Sequence, residues 1–260
     1  MFYKAVKRNM IMARIFFTLV LILSFCSLDA QSYAVGIKGG LTVGFQQWDN
    51  FSQRDPLYRY HGVVSIETAD EEEPFSIFAQ LGYHVKGSAI RTNPTTVRNS
   101  AGTLFDIPAR ETPFEFNNLT LTLGGKQKFD LGNGSRYYYL LGVRGDYTLN
   151  TNLGDYQIED TGNGFFFFNA SYPVDEFVQK WNYGVTVGGG LEFDISEFVG
   201  TTLEFTVNPD FSRQYLSPEI QNVIVPWSPN NTTIRERQIR NLTIEVSLGF
   251  RFLRKIEYID

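Results

Sequence analysis

The chain has 260 residues, a formal net charge of −5 and a pI near 5.2, with 43% hydrophobic and 15% aromatic residues. An acidic chain without a basic stripe is not expected to bind nucleic acid, and this apolar content excludes an intrinsically disordered protein. No linker rich in proline or serine divides residues 31–260, so we expect a single domain there. It follows a predicted signal segment over residues 1–30.

The first 30 residues have the pattern of a secretory signal peptide. Four lysine or arginine side chains precede or begin an apolar run at residues 15–25, and Ala30 ends a suitable cleavage site. An uncleaved anchor and a lipid attached to Cys26 are the alternatives for this segment. Because Cys26 is the only cysteine, cleavage at Ala30 leaves a mature chain without disulfides or thiolate metal ligands.

Alternating apolar and polar residues predict eight β-strands in the rest of the chain, and no later apolar run reaches the length of a membrane-spanning helix. In chain order, the predicted strands are residues 33–45, 58–68, 75–88, 114–129, 136–150, 183–193, 202–208 and 241–252. A change of phase in the fourth strand predicts a β-bulge at Asn117 and Asn118. Gly132, Asn133 and Gly134 then predict a tight turn.

The connections between these strands alternate in length. The long ones, which we expect to be loops, are residues 46–57, 89–113, 151–179 and 209–236. Short connections at one end and long ones at the other are typical of outer-membrane barrels. An even number of strands then places both chain termini at the short-turn side.

Alternation by itself leaves two architectures open, because a soluble lipocalin-like barrel turns its apolar face inward and a membrane barrel turns it outward. Strand length, aromatic residues near strand ends and alternating connection lengths favour the membrane. We therefore predict an all-β fold: an eight-stranded antiparallel up-and-down transmembrane β-barrel in the cell outer membrane, with short periplasmic turns and long extracellular loops. A closed barrel also pairs its backbone hydrogen bonds in lipid.

In this orientation the polar face lines the barrel interior, where buried charges need opposite charges beside them. The face carries basic and acidic residues in near balance, which permits such pairing. The predicted lumen network comprises Lys38, Arg59, His61, Glu67, His84, Lys86, Lys126, Arg144, Asp146, Glu192, Glu204, Glu245 and Arg251, and Lys128 lies on the same face.

Six segments, in this order, resemble the PorT-like family of Gram-negative outer-membrane β-barrel proteins. They are GIKGGLT at 36–42, LGYHVKGSA at 81–89, FNNLTLTLGGKQKF at 116–129, YYLLGVRGDYTL at 138–149, YGVTVGGGLEF at 183–193 and LTIEVSLGFRF at 242–252. The resemblance covers nearly the whole mature chain, and its motifs concern barrel construction. Because the family's namesake is implicated in protein export by type IX secretion, the resemblance implies a partner in the secretion system or envelope.

Two histidines raise the question of a chemical site. His61 and His84 lie on neighbouring predicted strands and on the same polar face, toward the long-connection end. With Ser65, Ser88 and Glu67 nearby, they supply the ingredients of a metal site or a hydrolase. We favour the alternative that both histidines belong to the lumen network. No nucleotide-binding, nucleophile-elbow or zinc motif occurs, so we predict no enzyme activity and no catalytic, cofactor or metal site.

Two connections carry further candidates. The run Phe165, Phe166, Phe167 and Phe168 is an apolar patch that packs over the barrel mouth, enters the lipid interface or contacts a partner protein. The acidic residues 70–73 offer oxygen ligands for Ca²⁺, but they lack the spacing of a calcium loop and fit a solvated turn better.

The prediction for function is a non-enzymatic outer-membrane barrel, embedded in outer-membrane lipid, whose long loops bind a partner protein or ligand. Such a protein would be an accessory to secretion or envelope assembly. The alternatives are a small pore for solutes, a soluble secreted lipocalin-like barrel that holds a ligand, and, least favoured, a barrel enzyme built on the histidine pair.

Overall fold

The computed structural model of the chain describes residues 32–49, 54–69, 74–98, 102, 104–156, 174–223 and 232–255. These residues form almost entirely β-structure. The strands are β1 (Ser32–Trp48), β2 (Asp55–Thr68), β3 (Phe75–Thr92), β4 (Thr95–Arg98), β5 (Leu104–Ile107), β6 (Arg110–Gly132), β7 (Ser135–Thr151), β8 (Trp181–Asp194), β9 (Val199–Pro209), β10 (Tyr215–Ser217), β11 (Ile220–Val223), β12 (Thr232–Ile234) and β13 (Arg237–Lys255). In these ranges the helices are two short 3₁₀ turns, and neither is long or apolar enough to cross a membrane.

Eight of the strands close into a ring. Neighbours pair in the order β1-β2-β3-β6-β7-β8-β9-β13, and the antiparallel pairing of β1 with β13 completes the circle. The closing ladder runs from Ser32 opposite Lys255 to Trp48 opposite Ile239. The prediction of an eight-stranded antiparallel up-and-down barrel is therefore confirmed.

The barrel has two unlike ends. At one end, which we call the turn end, β1 begins, β13 finishes and three short connections join β2 to β3, β6 to β7 and β8 to β9. The turn from β6 to β7 has positive φ at Gly132, Asn133 and Gly134, of 84°, 54° and 71°. Glycine and asparagine tolerate this left-handed backbone best, which explains the sequence there. We call the other end the loop end.

The strands extend further than the alternation indicates. The predicted bulge between Asn117 and Asn118 is present, but the prediction of an irregular loop over residues 89–113 was wrong. The β3–β6 ladder continues to Thr92 opposite Arg110, and β4 and β5 form a small hairpin beyond it. Residues 104–111 are exposed on both faces, so nothing there imposes an alternation of apolar and polar residues. The predicted loop over residues 209–236 likewise contains β10, β11 and β12.

The outer surface of the ring is apolar and its interior is polar. Outward-facing Leu141, Val143 and Leu248 are 63%, 64% and 65% exposed, whereas inward-facing Lys86 and Asp146 are 1% and 0% exposed. A band of exposed leucine, isoleucine and valine around the whole circumference is suited to lipid and not to water. The soluble lipocalin-like alternative was therefore wrong, because it requires the apolar face inside.

Aromatic side chains border this apolar band at both ends. Toward the turn end they are Phe75, Phe129, Tyr137, Tyr139, Phe193 and Phe252, and toward the loop end Tyr58, Tyr60, Tyr147, Trp181 and Tyr183. Neighbouring strands bring some into contact: ring centroids are 4.9 Å apart for Phe129 and Tyr137, and 4.8 Å apart for Tyr147 and Trp181. Belts of aromatic side chains of this kind lie at the two membrane–water interfaces.

Candidate functional site: the polar lumen and its cap

The lumen is filled by paired polar side chains at successive levels between the turn end and the loop end. The first level, which we call the lower network, consists of Glu67, Lys126, Lys128, Glu192, Asp194 and Arg251. The Glu67 carboxylate accepts hydrogen bonds from Lys126 and Lys128 at 2.7 and 2.9 Å. Arg251 donates to Asp194 at 2.7 Å. Every buried charge at this level lies beside an opposite charge.

The second level joins the lower network to the middle of the barrel. The Lys38 ammonium donates to one carboxylate oxygen of Glu204, and the Tyr138 hydroxyl donates to the other at 2.8 Å. Tyr138 is 1% exposed and its ring lies 4.7 Å from the Lys126 ammonium. This inward tyrosine was not among the predicted lumen residues, although it shares the polar face of β7.

The third level, which we call the histidine level, brings the two histidines together. His61 and His84 are directly opposite in the β2–β3 register, and their rings are parallel with centroids 5.2 Å apart. His84 Nδ1 lies 2.7 Å from Glu245. His61 Nδ1 lies 2.9 Å from the Thr42 hydroxyl and its Nε2 lies 2.8 Å from the Ser247 hydroxyl.

The histidine level differs in two respects from the sequence interpretation. It lies midway along the barrel and not toward the loop end, since His61 is opposite Gly40 at the centre of β1. The serine that contacts the pair is Ser247, whereas Ser88 donates to Gln46 nearer the loop end. The pairing of β2 with β3 was predictable because these strands form a hairpin. The contacts that the two histidines make with β13 depend on closure of the ring.

The fourth level, which we call the upper network, consists of Lys86, Arg144, Asp146 and Asp210. Lys86 donates to Asp146 and to Asp210, each at 2.8 Å. Arg144 donates to Asp210 at 2.5 Å, and the Thr120 hydroxyl donates to Asp146 at 2.6 Å. Asp210 was missed because it follows Pro209 in a predicted loop. The inward positions Thr206, Asn208 and Asp210 nevertheless continue the alternation of β9, which is a signal that could have found it.

An apolar cluster closes the lumen at the loop end. This cap consists of Trp48, Phe114, Phe116, Leu153, Tyr215 and Ile239, packed against Ile90, Tyr156, Phe177 and Val178. Beneath it lies a layer of buried amides, in which Gln46 donates to Asn241 at 2.9 Å and Gln214 donates to Asn118 at 3.1 Å. Burial raises the pKa of the Tyr215 phenol. The cap therefore separates the lumen from the solvent at the loop end.

Arg59 is the member of the predicted lumen network that is not fully buried. A bulge in β2 between Pro56 and His61 interrupts the pairing with β3. The Arg59 side chain is 31% exposed and forms an ion pair with Glu115. In the ladder with β1 it lies opposite Thr42, which is buried. The other twelve residues of the predicted network are buried in the lumen.

Three sequence candidates cannot be placed. The run Phe165, Phe166, Phe167 and Phe168, the acidic residues 70–73 and the signal segment 1–30 all lie outside the described residues. The apolar patch, the solvated acidic turn and the secretory signal remain predictions.

Small cavities lie in the part of the lumen that the described residues line. One cavity of about 20 Å³ lies at the histidine level, lined by both histidines, Lys38, Arg144 and Glu245 among others. A second cavity of about 20 Å³ lies between the lower network and Lys38. A space of this size holds about one water molecule. Neither cavity has room for an organic substrate.

A closed ring of tilted antiparallel strands, an apolar outer band between two aromatic borders and a lumen of paired charges together define a transmembrane β-barrel. The chain belongs to the family described as outer membrane protein beta-barrel domain, whose model matches residues 29–213. The predicted location in the outer membrane is thereby confirmed. No curated protein matches the chain.

Solved outer-membrane barrels are similar in architecture at low sequence identity. Neisserial surface protein A matches at 11% identity and a TM-score of 0.43, over 85% of this chain and 96% of that one. OprG from Pseudomonas aeruginosa matches at 10% identity and a TM-score of 0.42, over 84% and 95%. The outer membrane protease OmpT from Escherichia coli matches at 9% identity and a TM-score of 0.35, over 87% and 98%. At such values no inference about activity or partners passes to this chain.

Proposed function

We propose that this protein is a non-enzymatic outer-membrane barrel that acts through its loop end, where it binds a partner protein of the cell envelope. The observation that carries the proposal is the filled lumen, with ion pairs at successive levels and a cap over its mouth. A solute passing through would have to separate buried pairs, and removing one partner of a buried pair costs about 3–5 kcal/mol. The interior then acts as a structural core, and recognition falls to the outer surface beyond the lipid.

The extended β3–β6 hairpin is the surface that this proposal favours. It continues past the barrel into β4 and β5, where Leu104, Phe105 and Ile107 are 59%, 52% and 50% exposed. Apolar side chains held in a regular strand and turned to water are a common feature of protein interaction sites. The predicted apolar run Phe165 to Phe168 belongs to a neighbouring connection and is a second candidate for the same partner.

Conductance in planar lipid bilayers is the first test. We expect the refolded protein to insert without stepwise current at any applied voltage, because the lumen is paired and capped. Stepwise current from the wild-type protein would overturn the proposal in favour of a solute pore. Closed barrels migrate differently on gels before and after heating, which confirms that the inserted sample is folded.

Site-specific cross-linking in the native outer membrane is the second test. A photoreactive amino acid in place of Phe105 should cross-link this protein to one other protein of the envelope. The matched control is the same amino acid at Tyr139, which is 62% exposed but lies in the aromatic border of the turn end. Identical products from both positions would show nonspecific contact and count against the loop end as the binding surface.

The link to secretion is the finer part of the proposal, and its support is the resemblance of six segments to the PorT-like family. The partner would then be a component of type IX secretion or of envelope assembly. A strain that lacks this protein should retain exported proteins within its envelope. Normal export would remove the secretion link and leave the cross-linking result to decide the binding role.

A further inference from the structure

Three side chains with metal-binding atoms meet at the histidine level. One nitrogen each from His61 and His84 and one carboxylate oxygen from Glu245 all lie within 4.8 Å of one another. All three side chains are buried. Two imidazoles and a carboxylate are ligands that zinc uses in proteins, with a further position left for water or another oxygen.

The charge balance of the lumen singles out Glu245. Among the described residues, the buried lumen carboxylates other than Glu245 each form an ion pair with lysine or arginine. Glu245 instead has His84 as its ion-pair partner and accepts a longer hydrogen bond of 3.4 Å from Thr206. A buried anion needs a positive partner. Within ion-pair distance of Glu245, among the described residues, that partner is a proton at His84 or a bound cation.

The hydroxyl groups around His61 prepare it to act as a ligand. The Thr42 hydroxyl beside Nδ1 can accept a hydrogen bond from that nitrogen, which leaves Nε2 as the atom with a free electron pair. Nε2 lies 2.8 Å from the Ser247 hydroxyl. Because a hydroxyl group rotates easily, the Ser247 hydroxyl can turn away from Nε2 to admit a metal ion, or it can serve as an additional oxygen ligand.

Each neighbouring cation has its own carboxylate partner, which offsets its repulsion of a bound metal ion. Lys38 and Arg144 line the same cavity. Lys38 is paired with Glu204, and Arg144 is paired with Asp210 at 2.5 Å. The cavity of about 20 Å³ has room for a metal ion and for little else.

From these observations we infer that His61, His84 and Glu245 form a binding site for a first-row divalent metal ion, with Zn²⁺ as the best match to two imidazoles and one carboxylate. The ion takes the place of the proton shared by His84 Nδ1 and Glu245, whose atoms must move apart from their present 2.7 Å to admit it. Bound there, it links β2, β3 and β13 across the seam where the barrel closes.

The test loads the metal while the barrel forms, because the closed lumen limits access afterwards. The full chain is refolded from urea into detergent with zinc sulfate or with EDTA, desalted, and analysed for zinc per chain. Competition with chelators of graded strength gives the affinity, and X-ray absorption at the zinc edge counts the imidazole ligands. We expect one tightly held zinc ion per chain with two imidazoles.

His61→Asn is the decisive variant, because it removes a ligand whose described partners are hydroxyls and so leaves no charge unpaired. We expect zinc affinity to fall by more than about 100-fold, beyond the loss typical of residues that only support a ligand. The matched control is Thr186→Val, which changes the same cavity wall. Among the described residues the Thr186 hydroxyl has no hydrogen-bond partner, so this variant should bind zinc as the wild type does.

Glu245→Gln tests the carboxylate and should also lose zinc. If it does not fold, as judged by migration with and without heating, His61→Asn still decides the question. A wild-type protein that retains no zinc after refolding would overturn the proposal. So would a His61→Asn protein that binds as tightly as the wild type, or a Thr186→Val protein that loses as much affinity as His61→Asn.

Discussion

Lys86 and Asp210 lie 124 positions apart in the chain and 2.8 Å apart in the lumen. Lys86 projects from β3, and Asp210 follows the last residue of β9, on the opposite wall of the barrel. Their contact spans the interior and holds the two walls at a set separation. It also depends on the closed ring, since no local hairpin brings these strands together.

Replacing Lys86 tests this contact. In Lys86→Met, Asp146 and Asp210 keep only Arg144 as a cationic partner, so we expect the free energy of unfolding to fall by about 3–5 kcal/mol. Urea unfolding in lipid vesicles measures it. The control is Arg91→Met on the same strand, which breaks an exposed pair with Glu111 and should cost no more than about 1 kcal/mol. Equal effects would show that the lumen pair is no more important than a surface pair.

The cap should contribute as a true hydrophobic core. Phe116 is fully buried within it, so Phe116→Ala should lower the free energy of unfolding by about 3–5 kcal/mol. Phe105→Ala in the exposed hairpin removes the same ring where it is 52% exposed and should change stability by about 0.5 kcal/mol or less. A small loss in Phe116→Ala would mean that the cap is loosely packed.

The outward position of the apolar face can be tested with one charge. Val143 is 64% exposed near the middle of β7, where we place the membrane centre. Val143→Arg should destabilise the barrel in vesicles by about 2–4 kcal/mol. Leu104→Arg is the matched control, since Leu104 is 59% exposed but lies beyond the barrel. If both variants are equally stable, Val143 does not contact lipid.

The turn between β6 and β7 depends on its backbone conformation. Gly132 has φ of 84°, in the left-handed region, so Gly132→Ala should cost about 1–2 kcal/mol in urea unfolding. Gly62→Ala in β2 is the control, because a Cβ there meets no atom within 4 Å. That variant should be neutral or slightly more stable, and an equal loss in both would argue against strain at the turn.

Much of the fold was predictable because strand signals are local. Alternation located the eight barrel strands, the change of phase at Asn117 located a bulge, and Gly132 to Gly134 located a turn. The errors lie where the local signal is weak. Residues 104–111 are exposed on both faces and show no alternation. The β2 sequence likewise gives no sign of the register shift between Pro56 and His61, the segment in which Arg59 stays partly exposed.

The sequence by itself determined which side chains share a face, because successive residues of any strand point to opposite sides. From that it followed that thirteen polar residues would share the interior of a membrane barrel, and twelve of them are buried there. Only the tertiary structure decided which of them touch. Contacts such as Glu245 with His84 and Lys86 with Asp210 depend on ring closure, strand tilt and the stagger between β1 and β13, and these are properties of the whole barrel that no single strand encodes.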